Sequence, residues 1–465
     1  MGRTYRRRRR RRRCRPLTAT INTGDDHQKI RSLIGWLRNK DRRLAVGRQR
    51  SKFMSSAKLR PHRFASTGRG LQCCRRQHIG AGQLLLAIPI QSMITRNTVL
   101  DDSPDLPIDG RRRRTELSDV ELLTAWIYWE RQKAEASHWS DYFQSLPDRF
   151  DELPYMWPNV QDICRSLPVS LATELMAARN TYRRSMAKVF DELGLCLLDN
   201  NDDNDEQRLF NWSFGAVNTR CVYLDTDDCS RSCALAPFLD LLNHSATAKV
   251  TVTVNRDNNQ SYEIYTDCHY RPYDEVFISY GNHDNRFLFI NYGFCCFGDT
   301  GNNSLANDSI PVSYRQVRDV LLDNNSNNNI SDRQQVMSRL KTLLRLDFCN
   351  ERQVYWLQSQ SFDWRLDIIL RLLSLNSWSN DTTVKQWIYN ADGGAGGGGG
   401  SVELDIDEDI VYRRLKRSIV DSLISEYDIN VTNEWSLLGD NRGNDCLKQL
   451  LSNEFAILSA FLTDL

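Results

Sequence analysis

The chain has 465 residues, 40% of them hydrophobic, which suits two or three domains around a sizeable core. Net charge is only +2, yet Arg6 to Arg13 form an unbroken block of eight arginines, so the remainder is mildly acidic. No run of about 18 apolar residues exists, so no membrane-spanning helix and no membrane partner are expected.

Residues 1–28 read as a disordered Arg-rich tail, because like charges repel and keep such a block extended. Nuclear import or nucleic-acid binding is one role for it, and a tail without a role is another. A mitochondrial presequence fits less well, since an arginine block has no amphipathic period. Gly2 does not make a myristoylation signal, because position six is Arg6.

The next signal is a short helix over His27 to Asn39, with Ile30, Leu33, Ile34 and Leu37 on one face. A glycine turn at Gly80-Ala81-Gly82 leads into Leu84 to Ile88, an apolar run closed by Pro89 that reads as a buried strand. Leu117 to Ala136 is helical, its stripe made of Leu122, Ala125, Trp126 and Trp129. Ser170 to Leu195 is a second long helix.

Strand character returns after Arg220. Lys249 to Asn255 alternates valine and threonine, placing Val250, Val252 and Val254 on one face. Tyr262 to Thr266 and Glu275 to Tyr280 follow, the first joined to the preceding strand as a hairpin through Asn255 to Asn259. Beyond Phe297 the pattern is helical to the end, clearest over Trp356 to Leu375, Asp407 to Ile424 and Cys446 to Leu462. The polar or glycine-rich runs at 199–206, 323–329 and 393–400 read as loops. Arg111 to Arg114 reads as a solvated loop. A strand-rich middle before an all-helical end predicts a domain boundary near residue 300.

The thirteen cysteines are scattered. With no apolar leader before them, they are expected to be reduced thiols of a cytosolic or nuclear protein. Cys73-Cys74, Cys295-Cys296 and Cys229-x-x-x-Cys233 are the close spacings. None makes a four-ligand zinc pattern, so no metal is expected.

Three short stretches carry chemistry. Thr67-Gly68-Arg69-Gly70-Leu71 places glycines where a backbone can approach a ligand closely; alone it is an ordinary turn. In Pro237 to Ser245, Asn243-His244 sets two polar side chains at the end of an apolar segment; alone, that is a helix end capped by Asn243. Glu275 to Gly281 ends a strand in Tyr280-Gly281, with Asn291-Tyr292-Gly293-Phe294 following; alone, that is core packing and a turn.

In this order the three resemble the SET-domain methyltransferases, and within them the Rubisco large-subunit methyltransferase-like branch. Further residues of the resemblance are "AGQLLLAIP", Trp139 to Phe143 with Leu146-Pro147, Asn218-Thr219-Arg220, "PFLDLLNHS" and "EVFISYGNHDNRFLFINYGF". It covers roughly residues 30 to 300 well and the remainder weakly.

The resemblance implies an α+β fold. A SET domain over 29–300, of small curved β-sheets around a pseudo-knot, would hold a helical insert at about 117–207. An all-helical substrate-binding domain would occupy 301–465. It implies S-adenosyl-L-methionine as cofactor. Backbone groups of Arg69, Gly70 and Leu71 would line the cofactor pocket. Arg220 would meet the cofactor carboxylate, since a guanidinium fork suits it. Asn243 and His244 would hold the methionine part, with Asp240 in the same turn. Tyr292, Gly293 and Phe294 would pack about the cofactor and the target channel, and Tyr280 would be the catalytic tyrosine.

The implied reaction is a displacement in which a neutral nitrogen attacks the carbon of a sulfonium. A free lysine must first lose a proton, at about 4–5 kcal/mol at pH 7. An apolar channel beside a positive charge eases that loss, and the tyrosine then orients the amine. The partner is thus a lysine-bearing protein, a histone among the candidates, met in the nucleus or cytoplasm. A protein-histidine methyltransferase of the same fold is the second reading. A member of this branch that modifies histidine has asparagine two residues past the arginine aligned with Arg220, whereas Val222 stands here. The third reading is a non-catalytic chromatin- or nucleic-acid-binding protein using the Arg tail, whose binding would weaken steeply with salt.

Overall fold

Four small β-sheets, none wider than four strands, make up the strand-forming part of the described residues. The computed structural model describes residues 23–44, 58–102, 106, 117–195, 205–226, 229–255, 261–296, 308–323, 330–358, 361–377, 384–385, 404–428 and 442–464. Its strands are β1 (Leu59–Phe64), β2 (Gly68–Cys73), β3 (Gln83–Pro89), β4 (Cys221–Thr226), β5 (Cys229–Leu235), β6 (Asn243–His244), β7 (Val250–Asn255), β8 (Ser261–Thr266), β9 (Glu275–Ile278), β10 (Ser309–Ser313) and β11 (Val354–Gln358). The long helices are α1 (Thr23–Leu44), α2 (Asp119–Gln132), α3 (Val169–Glu192), α4 (Asp205–Arg220), α5 (Asn285–Tyr292), α6 (Tyr314–Leu322), α7 (Ile330–Arg345), α8 (Trp364–Ser374), α9 (Ile406–Asp428) and α10 (Arg442–Asp464).

The order β1-β2-β9-β6 forms the sheet that matters most for function. Its pairings are antiparallel except the last, where the two-residue β6 runs parallel to β9, Asn243 opposite Phe277 and His244 opposite Ile278. The second sheet, β3-β8-β7, is antiparallel, with the apolar run Leu85 to Ile88 fully buried on β3. This edge position of β7 changes what its alternation means. Val252 is 44% exposed, so the three valines do not share one buried face.

Between β3 and β4 lies the helical insert. Ser118 and Glu121 close a capping box at the start of α2, which satisfies two orphan amides there. Trp126 then packs against Trp139 and Phe143, and Phe143 against Trp212 of α4. The insert runs to Arg220 rather than stopping at 207, because α4 is continuous into β4. Asp205 and Glu206 belong to its first turn, where carboxylates favour the positive helix end, and not to a loop.

The C-terminal region is not all helical. β10 and β11 pair antiparallel, Ser309 opposite Gln358, and the expected helix from Trp356 begins only at Trp364. Tyr355 and Leu357 point inward while Val354, Trp356 and Gln358 point out, a period of two that marks a strand. The helix expected over His27 to Asn39 is longer, Thr23–Leu44, so residues 23–28 do not belong to a disordered tail. Residues 1–22, 324–329 and 393–400, and so the Arg block and two of the expected loops, lie outside the described residues, as does most of the stretch around 300. The described cysteines are free thiols, no cluster of metal-ligating residues occurs among the described residues, and no described helix is long and apolar enough to cross a membrane.

Candidate active site

The parallel pairing of β6 with β9 brings residues 174 positions apart in sequence into one place. β9 pairs with β2 only at Leu71 and Gln72, so Arg69 and Gly70 extend past its reach. Asn243 fills that gap: its amide donates to the Arg69 carbonyl at 3.0 Å and to Glu275 Oε1 at 2.8 Å. The Thr67 hydroxyl donates to the same carboxylate at 2.7–2.8 Å. Burial pushes the Glu275 carboxyl up, and the Asn243 and Thr67 bonds oppose that shift. Gly70 is required by this closeness, because a Cβ there would stand 2.6 Å from Glu275 Oε1 and 2.7 Å from Asn243 Nδ2.

Leu71 is placed differently from its neighbours. Its side chain is fully buried and its backbone lies between β1 and β9, opposite both Pro61 and Val276. Its backbone takes part in the sheet between the two strands.

His244 is buried and joins the site to Tyr280. Its Nδ1 accepts the Tyr280 N–H at 3.0 Å, so the neutral ring carries its proton on Nε2. Burial, with His283 nearby, pushes the imidazole down to about 4 and keeps it neutral. Tyr280 stands two residues past the end of β9, and its hydroxyl donates to the Leu242 carbonyl at 2.8 Å. Burial pushes this phenol up to about 12, so it stays protonated at physiological pH.

Around Tyr280 the rings converge. Centroids lie 5.2 Å away for His244, 5.3 Å for Tyr292 and 6.3 Å for Phe294. Gly293 makes the turn between the last two, capping α5 in the left-handed region at φ 77° with its α-carbon against Glu152. Its part is conformational. Asn218 anchors the same helix end by donating to the Asn291 carbonyl at 3.0 Å and to the Tyr155 hydroxyl at 3.1 Å.

The remaining two residues form a second polar knot. Arg220 Nη1 donates to the Asp240 carbonyl at 2.7 Å, and the Tyr142 hydroxyl donates to Asp240 Oδ2 at 2.9 Å. Burial pushes the Asp240 carboxyl up, and Arg220 and Tyr142 act against it. Three buried atoms in this region have no hydrogen-bond partner among the described residues: Arg220 Nε, Asp240 Oδ1 and His244 Nε2. Unsatisfied buried polar atoms are costly, so a cluster of them fits a polar ligand.

The structure thus brings together Arg69, Gly70, Asn243, His244, Tyr280, Tyr292 and Phe294, with Arg220 and Asp240 beside them. Residue-pattern reading did not single out Tyr142, Glu275 and Thr67 as part of the network. All three lie inside quoted motif stretches, but nothing in their spacing marks them, since their partners come from distant segments.

Residues 68–281 match the SET domain family model. Among relatives, SET domain-containing protein 4 of Mus musculus is 33% identical over 242 residues, 51% of this chain and 54% of that protein. The ribosomal lysine N-methyltransferase of Schizosaccharomyces pombe is 26% identical over 46% of this chain and 54% of its own length. The chain therefore spans about half the length of these curated relatives. In fold it is similar to the SET domain of Rubisco LSMT solved with lysine and AdoHcy, at a TM-score of 0.59 and 15% identity, covering 93% of this chain and 89% of that one.

Proposed function

We propose, from the SET domain at residues 68–281, that this chain is an S-adenosylmethionine-dependent protein-lysine N-methyltransferase. The observation that carries the reading is the meeting of Asn243, His244 and Tyr280 beside Arg69-Gly70 and the Tyr292–Phe294 aromatics. The relatives support it, one being named a ribosomal lysine methyltransferase and one fold neighbour having been solved with lysine and AdoHcy.

The residues fit the cofactor. Its amino-acid end carries a carboxylate and an ammonium, which suit the unpartnered Arg220 Nε and Asp240 Oδ1. Asn243 and His244 would hold the methionine part, the Arg69-Gly70 backbone one wall, and Tyr292 and Phe294 another. When bound, the cofactor supplies a methyl carbon activated by sulfonium. Tyr280 acts on the incoming amine. Its hydroxyl is protonated and its hydrogen is committed to the Leu242 carbonyl, so its lone pairs face outward as an acceptor. It orients the nitrogen and is no general base. The surrounding rings exclude water, which favours the neutral amine the reaction needs.

The finer readings are a histone as target, a nuclear or cytoplasmic location, and nucleic-acid contact through the Arg block. The supporting feature is the eight-arginine run, a form typical of import signals and anion-binding tails.

The test is incubation of the purified chain with methyl-labelled cofactor and a cell extract, followed by amino-acid analysis of the labelled protein. Methyl-lysine is the expected product. Methyl-histidine would select the second reading, and an absence of labelled protein with cofactor bound would overturn catalysis.

A further inference from the structure

From Tyr280 a row of rings leads outward to solvent. Tyr292 lies 5.3 Å from Tyr280, and His283 and Phe287 each lie 6.4 Å from Tyr292. His283 and Phe287 stack face to face, 4.0 Å between centroids and 12° between planes. The stack is held from two sides. Asp284 caps α5 by accepting the Phe287 N–H at 2.7 Å, and Gly281 lets the imidazole lie directly on the backbone after Tyr280. A Cβ at Gly281 would stand 2.5 Å from His283 Nε2, and its φ of 139° also favours glycine. Phe287 is nevertheless 41% exposed. Exposure of one ring is ordinary; what sets Phe287 apart is that it is fixed in a stack at the end of a ring row that starts at Tyr280.

The occupant follows from the length of a lysine. Its four-carbon stem reaches roughly 6 Å from backbone to nitrogen, at about 1.5 Å per bond. A lysine whose nitrogen meets Tyr280 therefore keeps its own backbone about level with Tyr292, 5.3 Å along the row. One to two residues of chain, at about 3.8 Å each, then span the 6.4 Å from Tyr292 to the His283–Phe287 stack. Tyr223, 78% exposed on the β4–β5 hairpin, is within electrostatic reach of the Tyr292 phenol.

We infer that the His283–Phe287 stack is a specificity determinant that selects protein targets carrying an aromatic or long aliphatic residue beside the methylated lysine. The inference rests on the proposed lysine methyltransferase activity. Apolar contact is the favoured chemistry because Phe287 offers an open ring face and the imidazole beneath it is already committed to stacking. One such contact changes selectivity by about tenfold or more.

The probe is a single-lysine peptide library with randomised flanking positions, compared with the blocked amino acid N-acetyl-lysine-methylamide. The wild type should enrich aromatic and aliphatic neighbours. Phe287→Ala should lose that enrichment and lower the ratio of peptide to blocked-lysine activity about tenfold. Tyr223→Ala provides a second variant at a largely exposed site, expected to lower the same ratio, should Phe287→Ala fold poorly. A wild type active on all peptides without flanking preference, or variants with an unchanged ratio, would overturn the inference while leaving the activity standing. A wild type that binds cofactor but methylates neither peptides nor blocked lysine would overturn the functional reading and this one with it.

Discussion

Arg286 and Glu454, 168 positions apart in sequence, meet in a two-pronged buried ion pair, Nε to Oε1 and Nη2 to Oε2 both at 2.8 Å. Tyr427 donates to Glu454 Oε2 at 2.6 Å, and Arg286 Nη1 donates to Ser170 at 3.0 Å. Helices α3, α5, α9 and α10 are thus fastened at one point, and α5 is the helix that ends in Tyr292. Alongside it, Asp308 accepts from both Asn285 and Asn453, at 2.8 and 2.7 Å. The C-terminal region is therefore locked to the segment that walls the site.

Breaking that pair should be costly. Glu454→Gln leaves the buried guanidinium with Glu174, 40% exposed and 3.3 Å away, as its remaining ion-pair partner beside the neutral Ser170 hydroxyl. A loss of about 3–5 kcal/mol is expected in urea unfolding. A loss under about 1 kcal/mol would mean that Glu174 alone compensates Arg286.

Tyr280→Phe removes one oxygen and keeps the ring. Methyl transfer should slow by roughly 10²-fold, the low end for a positioned polar group, with cofactor affinity little changed. Stability should fall by about 1 kcal/mol as the Leu242 carbonyl loses its donor. Kinetics and thermal melting measured together check this. A stable variant with full turnover would remove Tyr280 from the chemistry.

His244 predicts a pH dependence of stability. Its folded-state value of about 4 lies below the ordinary 6.5, so between these values the unfolded chain binds more protons. The contribution is complete above pH 6.5 and is lost as pH falls toward 4, by up to about 1.4 kcal/mol per pH unit. Unfolding curves across that window should be less pH-dependent for His244→Gln than for the wild type. Parallel curves would contradict the lowered folded-state value of His244.

At Gly70 the expected effect is steric. Gly70→Ala drives a methyl group into Glu275 and Asn243, both already pinned by hydrogen bonds. About 1–3 kcal/mol of stability should be lost, and calorimetry should show weakened cofactor binding. Normal cofactor affinity would show that the β2–β6 contact does not shape that pocket.

Deletion of residues 1–16 tests the Arg tail. Eight successive like charges do not pack into a core, so kcat on a short peptide should stay nearly constant while nuclear accumulation of a tagged chain falls. A collapse of kcat would tie the tail to catalysis.

Local chemistry made several elements readable in advance. The α2 stripe, the apolar β3 run and the Tyr280-Gly281 strand end depend on neighbours a few residues away, and each formed near its expected place. Where a pattern was short or ambiguous, reading failed. β11 has only five residues, and Trp356 alternates with Tyr355 and Leu357 because β10 lies beside it, a partner 41–49 positions earlier. Alternation groups Val252 with Val250 and Val254, but on the edge strand β7 Val252 is 44% exposed while the other two pack partly against the core.

The chain's own residues supply the groups available for chemistry: the Gly70 backbone, the Asn243-His244 pair, and Tyr280 with its following aromatics. Their order in the chain was enough to name a family resemblance. Only the tertiary structure decided what each one does. The parallel β6–β9 contact aims the His244 imidazole at the Tyr280 amide, fixes its tautomer, and sends the Asn243 amide across to Arg69. It also decided that Leu71 serves the sheet, that Tyr142 joins Asp240, and that α10 braces α5. The physical reason is the same in each case. Hydrogen-bond direction and burial are set by partners tens to hundreds of positions away, and no local pattern carries that distance.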